Sequence, residues 1–491
     1  MARALVLAVA VLVAAASLAV APARAASFVS VSGHQLTLDG QPFYFTGGNA
    51  HWLADTGSSD RGKIDALFGA AQSIGMRVVR AWAFSPAAAS GGYDFSLLDY
   101  AVESAWRHGL RLVLALGNTW KAYGGPELFL GDAAAGKTIS DFYESEDARR
   151  RYRAHVERVT SHVNPLTGRA YKDDPTIMAY DVINEPRCPG CDGGQLAARD
   201  SWLDEMIAAA RASAPNQLIL TGSEGFFGPG SPYVSKNPGA GAACEGDDFE
   251  EDAKKASAAT AHLYWRTVEG TPDRAWAKVG FDDYVPFLAA RIDLLEQVAG
   301  GSLARPFIIE EFGLTERFFD KSQAAAAAAV VLDRLVRSKQ SGGALAGALI
   351  WGLLPPGSGA SNAAGYNVVL DGGAAPSNVG LGSAGVFVGG GGGANGASSS
   401  HNASSTTGAR RRRHLRLSRR RLSEGEDIRA EDTLDAFRRG PQRKQCADAR
   451  ASGWTFPYDF GRATGVSAEA VKAAAGGASM SSLFKEAASK L

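Results

Sequence analysis

Eight short apolar runs alternate with amphipathic segments from Phe43 onward, and this alternation restricts the fold more than any other feature of the sequence. Repeated strand–helix units build a parallel sheet, and eight such units suit a closed barrel. We therefore predict an α/β fold, a (β/α)8 TIM barrel. The predicted strands are Phe43–Gly47, Val78–Trp82, Leu112–Leu116, Ile177–Ile183, Leu218–Thr221, Ala259–Tyr264, Phe307–Glu311 and Ala346–Trp351.

The first 25 residues have the three-part form of a secretory signal peptide. Arg3 precedes a core of alanine, valine and leucine, and Ala23-Arg24-Ala25 forms an A-x-A cleavage site. The core is short and Pro22 interrupts it, which argues against the alternative of a retained membrane anchor. We expect a secreted protein, extracellular or in the cell wall, with no membrane contact once the signal is removed.

The chain after about residue 380 departs from the strand–helix pattern. A barrel would take residues 26–388, and residues 389–425 form a Gly-, Ser- and Arg-rich stretch with too few apolar residues for a core. We predict a disordered linker there, in which the arginines of Ala409–Arg421 form a solvated charge block; binding to an acidic polymer is the alternative. Residues 426–491 are a C-terminal extension, in which Asp432–Arg438 could supply a displaced eighth barrel helix.

Overall charge and cysteine content exclude several classes of partner. The chain has 51 basic and 51 acidic residues, so its net charge favours neither nucleic acid nor membrane binding. Cys188 and Cys191 form a C-x-x-C motif, but no second such motif or histidine pair completes a zinc site. We therefore expect structural thiols or disulfides among Cys188, Cys191, Cys244 and Cys446, with the pairing left open.

Two of the predicted strands end in carboxylates. The run Ile177–Ile183 is followed by Asn184, Glu185 and Pro186, and Phe307–Ile309 is followed by Glu310 and Glu311. Catalytic groups of such barrels lie at the carboxyl ends of the strands. Because neighbouring strand residues point to opposite faces, we expect only one of the paired glutamates to face the site. An ordinary polar turn and a surface Glu-Glu pair are the alternatives.

Two carboxyl groups that face each other across a cleft are the smallest set of catalytic groups that cleaves a glycosidic bond. One protonates the leaving oxygen while the other attacks the anomeric carbon or activates water. A separation of about 5 to 5.5 Å would indicate retention of configuration through a covalent intermediate. The sequence leaves this distance open.

Several segments in the order of the chain resemble glycoside hydrolase family 5, and in particular its plant-type endo-β-1,4-mannanases. The resemblance extends over about Phe28 to Asp371 and is more specific than either glutamate motif alone. The segments are Asn49–Leu53, Val78–Phe84, Tyr123–Gly125, Val163–Cys188, Glu224–Gly228, Ala261–Tyr264, Glu311–Gly313 and Gly365–Leu370.

The resemblance implies a role for each matched residue. Glu185 would be the acid/base and Glu311 the nucleophile, and the choice of Glu311 over Glu310 rests on the family pattern. Asn184 would bind the sugar 2-hydroxyl, and Arg80 would keep the nucleophile charged. The other implied substrate-binding residues are His262, Tyr264 and Trp351, with Trp82, Trp52 and Trp120 as weaker candidates for the cleft.

These implications define the expected activity: a retaining endo-β-1,4-mannanase that cleaves mannan, glucomannan or galactomannan as a monomer, without metal or other cofactor. A nucleophile must be ionised while the acid keeps its proton, so the two glutamates need different surroundings. A β-1,4-glucanase or a transglycosylase on the same barrel is the nearest alternative. A non-catalytic binder of cell-wall polysaccharide is the alternative from another class, although both glutamates are present.

Overall fold

The structure is a computed structural model, and it describes residues 27–55, 57–84, 94–121, 123–238, 245–264, 280–314, 319–356, 368–370, 466, 471 and 478–491. The predictions for the signal peptide, the Arg-rich stretch, Asp432–Arg438, Cys244 and Cys446 lie outside these residues. Among the helices of the described ranges, none is both long and apolar enough to cross a membrane.

Eight parallel strands form one sheet in the spatial order β5-β4-β3-β2-β1-β8-β7-β6. Hydrogen bonds of the flanking loops connect the two end strands, from Ser257 N to Ile219 O (2.8 Å) and from His262 N to Glu224 O (3.1 Å). The sheet thus curls into the predicted TIM barrel. Its strands are β1 Phe45–Asn49, β2 Val78–Trp82, β3 Arg111–Ala115, β4 Ile177–Asp181, β5 Leu218–Leu220, β6 Ala259–Tyr264, β7 Phe307–Gly313 and β8 Leu345–Ile350.

The larger helices surround the barrel, and most of them begin at a side chain that caps a free N–H group. Asp60 accepts from Lys63 N, while Asp192 with Gln195 and Asp320 with Gln323 form reciprocal capping boxes. The helices are α1 Arg61–Ser73, α2 Ser96–Arg107, α3 Glu146–Ser161, α4 Gly193–Ser213, α5 Phe249–Lys255, α6 Phe281–Gly300, α7 Lys321–Ser341 and α8 Met480–Lys490, with shorter ones at Glu127–Leu130, Gly131–Ala134, Ile139–Glu144, Tyr171–Asp173 and Val234–Lys236.

A small antiparallel sheet closes the amino end of the barrel. Its strands are Ser30–Ser32, Gln35–Leu38 and Gln41–Pro42. The apolar side chains of this region, such as Leu36 and Phe43, are buried in one cluster with the barrel residues Phe45, Val78 and Ile308 among others. This end is therefore filled with apolar side chains, which leaves the carboxyl ends of the strands for a polar site. A second small sheet pairs Leu353–Leu354 with Val368–Val369.

Helix α8, at the very end of the chain, occupies the position of the eighth barrel helix. It packs against α7 and β1, and the ring of Phe484 lies parallel to that of Phe312 at 6.4 Å between centroids. Lys339 Nζ of α7 donates to the carbonyl oxygens of Lys490 and Leu491. The extension therefore contributes helix α8 to the barrel, while Asp432–Arg438, to which the sequence pointed, lies outside the described residues.

Candidate active site

Glu185 lies just beyond the carboxyl end of β4 in an unusual backbone conformation. Its φ angle is 49°, in the left-handed region that non-glycine residues seldom adopt. Its N–H donates to Gly222 O at 2.8 Å, and Thr119 Oγ1 donates to its carbonyl oxygen. Such a conformation persists only where surrounding contacts hold it, and it occurs most often at functional sites. The carboxylate is thus held in a fixed direction, with 6% of the residue exposed.

Glu311 faces Glu185 from the end of β7. A carboxylate oxygen of Glu185, one of Glu311 and a ring nitrogen of His262 all lie within 4.8 Å of one another. This nearest approach of the carboxylate oxygens is compatible with the roughly 5 to 5.5 Å between the carboxyl groups of retaining glycosidases, whereas inverting ones have roughly 6.5 to 9.5 Å. Tyr264 Oη donates to Glu311 Oε2 at 2.6 Å, so its hydroxyl orients the carboxylate.

Arg80 of β2 connects four side chains beneath the cleft and is fully buried. Its guanidinium donates to Glu311 Oε1 at 2.7 Å, to Asp181 Oδ2 at 2.5 Å, to Asn184 Oδ1 at 2.8 Å and to Asn49 Oδ1 at 3.1 Å. Burial alone would lower its pKa, but the neighbouring carboxylates raise it, and the group stays charged. Arg80 therefore gives Glu311 a fixed positive partner and also orients Asn184.

Glu185 has two hydrogen-bond partners of its own. His262 Nδ1 lies 2.7 Å from Glu185 Oε1, and Trp120 Nε1 donates to Glu185 Oε2. Burial would raise the pKa of Glu185, but its hydrogen bond to His262 brings the pKa below the usual value. Burial would lower the pKa of His262, whereas the surrounding carboxylates, Glu311 first, raise it well above the usual value. The structure thus favours the imidazole over the predicted acid as the place of the proton.

Glu310 is also inside the barrel, contrary to the expectation that only one of the two adjacent glutamates faces the site. The register between β7 and β6 shifts between Ile309 and Glu311, which interrupts the strict alternation of the strand. Glu310 Oε2 lies 3.6 Å from His262 Nε2, and Glu311 Oε1 lies 3.7 Å from His262 Nδ1. Both glutamates therefore adjoin the same imidazole, and Glu310 is fully buried.

Aromatic rings form a wall beside the two glutamates. The ring of Trp351, at the end of β8, stacks on that of His51 at 5.3 Å and lies 5.8 Å from that of Trp82. Tyr123 lies 4.5 Å from His51 and is 42% exposed. His51 Nδ1 and Trp82 Nε1 are buried without a hydrogen-bond partner among the described residues. This wall combines flat rings with free polar atoms, as a sugar site requires.

Trp52 and the C-x-x-C motif have supporting positions. Trp52 is 5% exposed and its indole donates to Leu353 O at 2.8 Å, so it packs behind the loop that follows Trp351. The structure does not bring it to the carboxylates. Cys188 and Cys191 form a disulfide directly after the loop that carries Glu185, which is one of the pairings that the sequence allowed.

Several neighbours of the site were not recognised in the sequence. Asp181 anchors Arg80, and the only signal for it was a charged residue at the end of an apolar strand. Arg187 lies over the ring of Trp120 at 4.3 Å and is paired with Glu224 at 2.9 Å and with Glu245. These contacts join residues far apart in the chain, so no local sequence pattern predicts them.

The grouping of Glu185, His262 and Glu311 also resembles a set of metal ligands. Their facing atoms, however, are already engaged by Arg80, Tyr264, Trp120 and one another. A permanent guanidinium next to Glu311 disfavours a second cation at that carboxylate. The three residues therefore belong to a closed hydrogen-bonded network, which leaves their facing atoms little capacity to bind a metal ion.

Comparison with known proteins places the chain in a family. Residues 26–364 match the model of the family described as GH family 5 beta-mannosidase-like. The putative mannan endo-1,4-beta-mannosidase 5 of Oryza sativa subsp. japonica is 34% identical, over 69% of this chain and 72% of the relative. Mannan endo-1,4-beta-mannosidase 2 of the same organism is 32% identical, over 69% and 79%. The solved endo-1,4-beta-mannanase of Rhizomucor miehei has a TM-score of 0.56 and 28% identity, over 70% of this chain and 95% of that structure.

Proposed function

Since the chain belongs to the GH family 5 beta-mannosidase-like family, we propose that it is an endo-β-1,4-mannanase that hydrolyses internal β-1,4-mannosidic bonds of mannan polysaccharides with retention. The observation that carries this proposal is the facing pair Glu185 and Glu311, with carboxylate oxygens within 4.8 Å. The names of the relatives support mannan as the substrate class.

The reaction proceeds in two displacements. Glu311 attacks the anomeric carbon and forms a glycosyl-enzyme ester, while Glu185 protonates the leaving oxygen. Glu185 then takes a proton from water, which attacks the same carbon and releases Glu311. Arg80 and Tyr264 hold Glu311 in place for attack through bonds of 2.7 and 2.6 Å. Asn184, fixed by Arg80, is placed for the 2-hydroxyl, a contact that strengthens in the transition state.

The aromatic wall binds a sugar beside the two glutamates. Trp351 supplies a flat face for the C–H side of a mannose ring, and Tyr123 extends this surface toward solvent. His51 and Trp82 support this surface from behind through their ring contacts with Trp351.

Two assays test this function. Purified protein is incubated with galactomannan and with a soluble cellulose derivative, and the released reducing ends and product sizes are measured. We expect internal cleavage of galactomannan, with products in the size range of oligosaccharides, and far slower release from the cellulose derivative. The Glu185→Ala and Glu311→Ala variants should lose at least ~100-fold in turnover of galactomannan. Near-wild-type turnover by either variant would show that the assignment is wrong.

We also propose that the protein is exported and acts as a monomer. The signal-peptide pattern of residues 1–25 supports export, with cleavage after Ala25. Expression in a secreting host followed by amino-terminal sequencing should give Ala26 as the first residue of the secreted product. Light scattering of that product should give the mass of a single chain.

A further inference from the structure

Glu310 is a carboxyl group that the two displacements do not use. It is completely buried, and neither of its oxygens has a hydrogen-bond partner within the described part of the chain. A buried carboxylate without partners is costly, so the neutral acid is favoured. Burial and the nearby Asp181 raise the pKa of Glu310 to about 8, against the opposing effect of His262 and Arg80. Glu310 therefore holds a proton at neutral pH.

His262 lies between Glu310 and Glu185. Its Nε2 is 3.6 Å from Glu310 Oε2, and its Nδ1 is 2.7 Å from Glu185 Oε1. Burial raises the pKa of Glu310 and the surrounding carboxylates raise that of His262, and because the two groups adjoin, they share one proton. When a carboxyl group holds this proton, the imidazole is neutral and has one N–H donor and one acceptor nitrogen. If Glu310 donates to Nε2, then Nδ1 carries the hydrogen and Glu185 is a carboxylate. If Nε2 donates to an ionised Glu310, then Nδ1 accepts from a protonated Glu185. The imidazole thus couples the two carboxyl groups, and one proton serves both.

We propose that Glu310 is a positioning residue that stores the proton used by Glu185 and delivers it through His262. The proton leaves Glu310 Oε2 for His262 Nε2 as the Nδ1 proton moves to Glu185 Oε1. Glu310 becomes a carboxylate, His262 stays neutral in its other tautomer, and Glu185 becomes the acid that protonates the leaving oxygen. The proton that Glu185 later takes from water returns to Glu310 by the reverse path, so the cycle balances.

The other charged groups around this chain favour the path to Glu185. Glu311 is the remaining carboxylate near Nδ1, but it lies at 3.7 Å, and its oxygens already accept from Arg80 and Tyr264. Asp181 faces Glu310 with a negative charge and opposes its ionisation, while Arg80 favours it. The gap of 3.6 Å between Glu310 and His262 must shorten by several tenths of an ångström, as catalytic hydrogen bonds commonly do once substrate is bound.

The test uses Glu310→Gln, which keeps the size of the side chain and its capacity for hydrogen bonds but holds no transferable proton. The inference rests on the proposed glycosidase activity, so two substrates are compared: galactomannan, whose leaving group needs the proton, and a dinitrophenyl β-mannooligoside, whose leaving group does not. We expect kcat/KM to fall between ~10-fold and ~100-fold on galactomannan, within the range of general acid catalysis, and less than ~3-fold on the dinitrophenyl substrate.

Equal losses on both substrates, or no loss on galactomannan, would overturn the proposal. If Glu310→Gln does not fold, a proton inventory of the wild-type enzyme on galactomannan decides: a bowed dependence of rate on deuterium fraction supports a chain of moving protons, and a linear one overturns it. If the wild-type enzyme cleaves another β-1,4-glycan and not mannan, the proposed substrate is wrong. The comparison is then made on that glycan.

Discussion

Replacing Arg80 by lysine tests how the site is held together. The guanidinium makes four hydrogen bonds from three nitrogen atoms, two to the carboxylates of Asp181 and Glu311 and two to the amides of Asn49 and Asn184. A lysine ammonium keeps the charge but concentrates its donors at one point, so it cannot reach all four partners. All four bonds are charge-assisted, and losing one such bond costs about 1.5 to 3 kcal/mol.

We therefore expect Arg80→Lys to lower the free energy of unfolding by about 3 to 5 kcal/mol. Turnover of galactomannan should fall about 100-fold, because Glu311 and Asn184 lose their fixed positions. Urea unfolding and steady-state kinetics measure the two effects. The matched control is Arg107→Lys, since Arg107 is about 38% exposed and binds Glu103 and Asp65 at the surface. Arg107→Lys should lower the free energy of unfolding by less than about 1 kcal/mol. An Arg80→Lys variant as stable and active as this control would refute the reasoning.

Three other changes test separate parts of the structure. Trp120→Phe removes the N–H that donates to Glu185 and should lower kcat about tenfold with little change in melting temperature. Phe484→Ala removes a ring that is 1% exposed and packs on Phe312. It should lower the free energy of unfolding, measured with urea, by about 3 to 5 kcal/mol. A loss below about 1 kcal/mol would contradict the packing of α8 against the barrel. Folding raises the pKa of Glu310 from 4.5 to about 8, so the folded state holds the proton more tightly than the unfolded chain. The contribution of this proton to the free energy of unfolding is fully present below about pH 4.5 and is lost as the pH rises through 8. The melting temperature of the wild-type protein should fall between these pH values, and that of Glu310→Gln should fall less steeply. Equal pH dependence of the two melting temperatures would contradict a buried, neutral Glu310.

The barrel was predictable because its strands are buried on both faces and therefore form nearly continuous apolar runs. The predicted strand Val78–Trp82 matches the observed one, and Ile177–Ile183 differs from β4 only at its end. The positions of Glu185 and Glu311 followed from the rule that carboxyl ends of barrel strands carry the chemistry. The resemblance to a known family supplied their separate roles, which no spacing in the sequence defines.

Other features depend on contacts between distant parts of the chain. The register shift that turns Glu310 inward arises from the pairing of β7 with β6, and strand alternation alone predicts the opposite. The eighth helix comes about 130 residues after β8, so no local repeat connects them. Trp52 was a weaker candidate for the cleft, and its indole donates to Leu353 O, a contact between residues 301 positions apart that the sequence does not indicate. These are the places where tertiary packing overrides local pattern.

Identifying the residue that bonds to the sugar tests the central claim most directly. The protein is treated with a 2-deoxy-2-fluoro-β-mannooligosyl fluoride, which forms the glycosyl-enzyme but slows its hydrolysis, and the labelled peptide is sequenced by mass spectrometry. We expect one label per chain, on Glu311, and none in Glu311→Gln. A label on Glu185 or Glu310, or hydrolysis of mannan with inversion and no label, would contradict it.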